Sequence, residues 1–125
     1  MRSMRSVGER PLYWVGKSKA DLLNFPDAVV RQCGLALSIA QHGGRTPSAK
    51  AWKGAGPGVL EAIIDHDSNT YRAVYVVRFA GAIYVLHCFQ KKSPHGISTA
   101  RKDIALIQSR LLTAQLHYEK NHDEN

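Results

Sequence analysis

The most informative absence from this 125-residue sequence is a long apolar run. No stretch reaches the roughly 18 apolar residues that a transmembrane helix requires, so we expect no membrane span. The first eleven residues, MRSMRSVGERP, lack the apolar segment of a secretory signal. We expect residues 1–10 to be a flexible arm, with Met4 as an alternative start, and the protein to be cytoplasmic.

Cysteine is also scarce, since Cys33 and Cys88 are the only two and each lies in an apolar run. Two small reduced core residues are the simplest interpretation. The six histidines are scattered, and none pairs with a cysteine at the spacing of a zinc site. We therefore expect neither a metal ion nor a small-molecule cofactor.

Acidic residues are outnumbered by basic ones, 10 to 17, and the net charge is +7. A small basic domain usually has an anionic partner. Nucleic acid is the leading candidate, and an acidic protein stays open. A membrane surface is not favoured, because no basic amphipathic helix carries bulky aromatic residues at its edge.

The apolar pattern predicts an α+β fold with the order β-α-α-β-β-β-α. An antiparallel meander sheet is packed by an N-terminal helical hairpin and a C-terminal helix. The first strand is expected over residues 12–15, and Ser18 is expected to cap the helix after it. Gly34 in the second helix indicates a close approach to the sheet. The single domain is expected over residues 11–118, and a polar tail over residues 119–125.

Three strands and a last helix complete the predicted order. Before them, residues 45–58 form a glycine-rich basic loop without Walker spacing, in which Trp52 either fills the core or stacks on a base. The strands are expected over residues 59–66, 71–79 and 82–90, and the last helix over residues 98–120. On the fourth strand, alternation predicts one shared face for Ile83, Val85, His87, Phe89 and Lys91.

The ends of the last two strands carry residue types that RNA cleavage needs. Attack by the ribose 2′-hydroxyl requires a base, cations that stabilise the phosphorane, and an acid for the leaving 5′ oxygen. Arg72 can hold two phosphate oxygens, and one of Lys91 and Lys92 should share its face. Nearby cations can lower the pKa of a lysine enough for proton transfer. His87 and Glu61 are the other titratable candidates.

Each of these residues also has a purely structural interpretation. Arg72 can form an ion pair with Glu61, and the two lysines can be a solvated strand end. His87 can be a core histidine, and Tyr75 can pack in the core or stack on a base. From its chemistry alone, the sequence predicts a basic sheet that binds RNA.

The segment YRAVYVVRFAGAIYVLHCFQKK precedes a Pro-containing loop and an Ala-Arg-Lys-Asp-Ile helix. Together they resemble the phage-derived, HigB-like branch of the RelE/ParE toxin superfamily. The family pattern is a Lys-Gly before the second strand, a Leu-Glu pair on it, a Tyr-Arg with a second Tyr, and a strand ending in Phe-x-Lys-Lys. The matching residues are Lys53, Gly54, Leu60, Glu61, Tyr71, Arg72, Tyr75, Phe89, Lys91 and Lys92.

The resemblance covers residues 11–118 and implies the toxin of a type II toxin–antitoxin module. Many such toxins are ribosome-dependent endoribonucleases that cut mRNA, and a small helix-turn-helix antitoxin is the usual partner. By resemblance, Arg72 stabilises the phosphate, and Lys91 or Lys92 supplies further charge or proton transfer. His87 joins the catalytic candidates because its side chain is titratable. Further RNA contacts are expected from Lys53, Arg78, Tyr75, Arg101 and Lys102.

The sequence departs from the family pattern at one position. The family often has an arginine two residues after the second-strand glutamate, where this chain has Ile63. Without an arginine at this position, its positive charge is expected from Arg78, Lys53 or His87. Two other functions stay open: a non-enzymatic toxin on the same fold that inhibits DNA gyrase, and a decayed phage-derived protein that binds RNA without cleaving it.

Overall fold

The computed structural model describes residues 9–91 and 101–122, which form one sheet with helices on both faces. The elements in chain order are β1 (Leu12–Trp14), α1 (Ser18–Leu23), α2 (Asp27–Gln41), β2 (Ala49–Ala51), β3 (Val59–His66), β4 (Asn69–Val76), β5 (Ile83–Lys91) and α3 (Arg101–His122). Within these described ranges the sheet has five strands in the order β1-β5-β4-β3-β2. The predicted α+β class is confirmed.

The sheet differs from the predicted antiparallel meander in two ways. β1 pairs in parallel with β5, with Leu12 opposite Ile83, so the sheet is mixed. β2 lies inside the segment predicted as a loop, and it pairs antiparallel with β3 as an edge strand. Three residues are too few for alternation to reveal a strand. The last helix also continues to His122, past the predicted domain boundary.

The helical hairpin α1–α2 packs against one face of the sheet. α1 begins at Ser18, so Ser18 is not the N-cap; Lys17 precedes the helix, and the Ser18 hydroxyl donates to the Val85 carbonyl at 3.2 Å. Gly34 is exposed, and nothing lies within 4 Å of a Cβ built on it. The predicted close approach at Gly34 is therefore wrong, because that face of α2 points away from the sheet.

Two apolar cores lie on opposite sides of the sheet. The core under α1 and α2 contains Tyr75 and Val85 together with both free cysteines. The core under α3 contains Trp52 and Ile107. Trp52 is 6% exposed, so it fills the core, the first of its two predicted alternatives.

An irregularity in β5 decides which side chains meet on each face. Val74 pairs with His87 and Tyr75 pairs with Val85, which leaves Leu86 as an extra residue in a β-bulge. Val85 therefore belongs to the α1–α2 core, whereas Leu86 and His87 both face α3. The predicted single face for the odd-numbered residues of this strand is wrong, because alternation shifts by one residue at the bulge.

Arg110 ties α3 to this bulge. Its Nη1 donates to the Leu86 carbonyl at 2.8 Å. The same guanidinium lies over Gly16, where an added Cβ would be 2.8 Å from Nη2 and where φ is +60°. One arginine on α3 therefore contacts both the bulge and the chain just after β1.

The folded domain already includes Arg10, which the prediction assigned to the flexible arm. Its guanidinium donates to the carbonyls of Val77 and Phe79, each at 3.0 Å, and to that of Ala40 at 3.1 Å. The Gln41 side chain donates to the Arg10 carbonyl at 2.7 Å. These hydrogen bonds join the end of α2 to the turn after β4.

The packing of α3 on the sheet gives a stability prediction. Ile107 is fully buried, whereas Leu112 on the same helix is 58% exposed. We expect Ile107→Ala to lower the free energy of unfolding by about 2–5 kcal/mol, because it leaves a cavity in a packed core. The matched control Leu112→Ala should change it by less than about 1 kcal/mol. Urea denaturation measures both, and equal effects would contradict this placement of α3.

Candidate functional site

The candidate site lies on the α3 face of the sheet, towards the β3–β4 turn. Ile63, Arg72 and Phe89 form one cross-strand row, and Glu61 and His87 belong to the next row. Directly paired residues project from the same face of a sheet. The strand register therefore brings an arginine, a glutamate and a histidine to one surface.

Arg72 and Glu61 form an ion pair in the middle of this surface. Nη1 of Arg72 donates to the two carboxylate oxygens at 2.9 and 3.1 Å. The two side chains are only 16% and 11% exposed. Nε of Arg72 is buried and has no hydrogen-bond partner among the described residues. The guanidinium thus keeps N–H groups that Glu61 does not use.

Lys91 reaches the same surface from β5. It lies two residues beyond Phe89, which pairs with Arg72, so Arg72 and Lys91 share a face. Burial, and then the positive charge of Arg72, lower the pKa of Lys91 below its ordinary value, while Glu61 acts in the opposite direction. The three residues form one electrostatic cluster. Lys92, the other predicted catalytic lysine, lies outside the described residues.

His87 lies between the sheet and α3 and is 6% exposed. Its Nε2 is 2.7 Å from Oδ1 of Asp103, and its ring stacks on Phe89 with centroids 4.7 Å apart. Nδ1 is buried without a hydrogen-bond partner among the described residues. Because a carboxylate oxygen accepts, the ring donates from Nε2 to Asp103. His87 is therefore a core histidine with a carboxylate partner, and it is not open to a ligand in this conformation.

Three charged residues near this surface come from α3 and β2. Arg101 and Lys102 are exposed and immediately precede Asp103, so they lie at the end of α3 that contacts His87. Lys50 is exposed on β2 and pairs directly with Glu61. Sequence reasoning missed the roles of Asp103 and Lys50, since each is placed only by contacts between separate elements.

Tyr75 does not belong to this surface. It is fully buried in the core under α1 and α2, on the opposite face of the sheet from Arg72. The two residues are three positions apart on a regular strand, so alternation separates them. This placement agrees with core packing, the structural interpretation of Tyr75, and separates Tyr75 from the surface that carries Arg72.

Lys53 and Arg78 are exposed but lie towards the other end of the sheet. Arg78 is six residues after Arg72, which corresponds to about 20 Å along an extended chain. Its Nη1 approaches the carbonyls of Ala55 and Pro57 at 3.4 Å, so it braces the loop that carries Lys53. Neither residue joins the cluster around Arg72.

A cavity of about 190 Å³ lies at the opposite edge of the sheet, between β1 and α3. Tyr13, Trp14, Tyr84 and His117 contribute to its walls, and the Tyr84 hydroxyl is 2.6 Å from Nδ1 of His117. Burial raises the pKa of Tyr84 to about 12. None of the residues predicted as site residues lines this cavity, so the cluster around Arg72 is the better candidate.

Residues 9–91 and 101–122 contain neither a metal-binding cluster nor a membrane-spanning helix. In these ranges no three His, Cys, Asp or Glu side chains lie close enough together to hold a metal ion. No helix in the same ranges has the length and apolar character needed to cross a membrane.

The fold and the site define a small basic α+β domain with a cationic cluster on one face of its sheet. The family model "Phage derived protein Gp49-like (DUF891)" matches residues 20–112, which is well over half of the chain. The chain belongs to this family, which is associated with toxins of the RelE/HigB type. No curated protein and no solved structure matches the chain significantly. The phage-derived part of the resemblance is thereby confirmed.

The opposite effects of Arg72 and Glu61 on Lys91 give a pH-dependent prediction. We expect Arg72→Ala to raise the pKa of Lys91 towards its ordinary value, because a positive charge is removed beside the ammonium group. Glu61→Gln should lower that pKa further, because a negative charge is removed. An NMR titration of the lysine side-chain signals measures both changes, with exposed Lys120 as the internal control. Shifts of the same sign in the two variants would contradict the cluster.

Proposed function

We propose that this protein is the toxin of a type II toxin–antitoxin module and that it cleaves mRNA in the cytoplasm as a ribosome-dependent endoribonuclease. The observation that supports this most is the shared face of Arg72 and Lys91, with Glu61 bound to the guanidinium. Membership of the Gp49-like family agrees with it. The proposed partners are a helix-turn-helix antitoxin, mRNA and the ribosome.

In the proposed reaction the ribose 2′ oxygen attacks the adjacent phosphorus, and the bond from phosphorus to the 5′ oxygen breaks. Arg72 binds the phosphate through Nη2, since both Glu61 oxygens accept from Nη1. A preorganised guanidinium stabilises the negative charge that develops on the non-bridging oxygens. Glu61 thus holds Arg72 in place without occupying its whole donor edge.

Glu61 and Lys91 are the groups that we assign to proton transfer. The Glu61 carboxylate accepts the 2′ proton, and the Lys91 ammonium donates a proton to the leaving 5′ oxygen. The lowered pKa of Lys91 makes its ammonium group a stronger acid than that of an ordinary lysine. The products are a 2′,3′-cyclic phosphate and a 5′-hydroxyl. In this scheme His87 acts indirectly, by holding the first described turn of α3 through Asp103.

Binding of RNA without cleavage is the second candidate function. Ile63 lies directly across from Arg72, so an arginine there would add a second guanidinium beside the first. The apolar side chain at this position favours a surface that binds phosphate without the full charge stabilisation of an endoribonuclease. A gyrase-directed toxin is a third outcome, which would show as DNA damage without cuts in mRNA.

Expression of Arg72→Ala tests the proposed function. We expect induction of the unchanged protein to arrest growth and to produce cuts within translated mRNA, mapped by primer extension. Arg72→Ala should lose at least about 100-fold of the cleavage, as expected for a lost transition-state hydrogen-bond donor. Arg72→Lys should recover little, because a lysine lacks the planar fork of the guanidinium.

Arg31→Ala is the matched control for this experiment. Arg31 is exposed on α2, on the far side of the sheet from Arg72, so cleavage and growth arrest should be unchanged. Circular dichroism of each purified variant checks that it is folded. A folded Arg72→Ala protein that cleaves mRNA as well as Arg31→Ala would exclude Arg72 as the phosphate-binding residue.

A further inference from the structure

Lys50 has a position that its sequence context did not indicate. It lies on the edge strand β2, within the segment expected to be a loop, and its side chain is exposed. Its direct partner on β3 is Glu61. Directly paired residues project from the same face, so Lys50 lies on the α3 face of the sheet beside the Arg72–Glu61 ion pair.

Four charged residues, one from each of four adjacent strands, form an oblique line across this face. They are Lys50 on β2, Glu61 on β3, Arg72 on β4 and Lys91 on β5. Glu61 pairs with Val74, two residues after Arg72, and Lys91 pairs with Thr70, two residues before it. From strand spacing and residue rise, the line is about 20 Å long.

We propose that Lys50 binds a second backbone phosphate of the RNA, next to the phosphate that Arg72 binds. This inference rests on the proposed function. Lys50 then supplies the positive charge that is missing at Ile63. β3 carries an isoleucine beside Arg72, and β2 supplies a positive charge one strand further out. Along the line the side-chain charges are positive, negative, positive and positive. The cations on the two sides of Glu61 therefore attract a polyanion.

The other basic residues that were candidates for this work are less well placed. Lys53 and Arg78 lie towards the far end of the sheet, and Arg78 braces a loop through the carbonyls of Ala55 and Pro57. His87 is buried and bonded to Asp103. Lys50 is exposed and sits in the same cross-strand row as Glu61.

A lysine on an edge strand also has a known structural use, because its charge discourages pairing with the edge of another sheet. The two roles respond differently to substitution. Lys50→Glu keeps a charge on the edge but repels a phosphate, whereas Lys50→Ala removes the charge altogether. Phosphate binding predicts that both changes weaken RNA affinity, Lys50→Glu more than Lys50→Ala, whereas edge protection predicts self-association of Lys50→Ala with RNA affinity unchanged.

The test is binding of the full chain to a fluorescent single-stranded 2′-O-methyl oligoribonucleotide, which offers phosphates but no attacking hydroxyl. The dissociation constant is measured over a series of salt concentrations. We expect Lys50→Ala to weaken binding about fivefold at low salt and to reduce the slope of log K against log salt by about 0.7, the value for one phosphate contact on a single strand. Lys50→Glu should weaken binding more.

Lys120→Ala is the matched control, because Lys120 is exposed near the C-terminal end of α3. Along the helix axis it is about 26 Å from Asp103, whose carboxylate contacts the site. This variant removes the same charge and should leave affinity and slope unchanged. If Lys50→Ala behaves like this control, Lys50 makes no phosphate contact and the inference is wrong.

Arg72→Ala, measured in the same assay, separates the inference from the proposed function. Weaker binding by Arg72→Ala with unchanged binding by both Lys50 variants overturns the role of Lys50 alone. Unchanged binding by Arg72→Ala as well overturns RNA binding at this surface. Self-association of Lys50→Ala at unchanged RNA affinity identifies Lys50 as an edge-protecting residue and also overturns the inference.

Discussion

The extra residue at Leu86 in β5 is the constraint on which the site depends. Val85 packs in the core under α1 and α2. With strict alternation, His87 and Lys91 would point into that same layer, on the opposite face from Arg72. The β-bulge shifts the alternation by one residue, so His87, Phe89 and Lys91 face α3 and share their surface with Arg72. The bulge therefore decides the face on which these charged and titratable side chains lie.

The charges on that surface are arranged to hold Arg72 still while leaving it able to bind. Glu61 uses only Nη1 of the guanidinium, and both side chains are largely buried, which limits their motion and strengthens their attraction. The charge of Arg72 lowers the pKa of Lys91 and the charge of Glu61 raises it, so this pKa depends on the geometry of the cluster. The +7 net charge of the chain provides a long-range attraction for a polyanion, but only the cluster gives that attraction a definite position.

Several predictions from the sequence hold because they depend on local spacing. The strand expected over residues 59–66 is β3, with the same bounds. The ion pair with Glu61 was one of two interpretations of Arg72, and it forms. Other predictions fail where one element meets another. The parallel pairing of β1, the short strand β2 and the bulge at Leu86 leave no periodic signal, because each depends on a partner strand that is distant in the sequence.

The sequence by itself determined the α+β class, the types of most elements, and the basic residues from which any anion-binding surface must be built. Periodicity and turn residues carry that information locally. Only the tertiary structure decided that Lys91 shares a face with Arg72, that Asp103 holds His87, and that Lys50 lies beside Glu61. Those three relations come from strand register and from the packing of α3 on the sheet. Both depend on how the whole chain buries its apolar surface, and no single segment determines them.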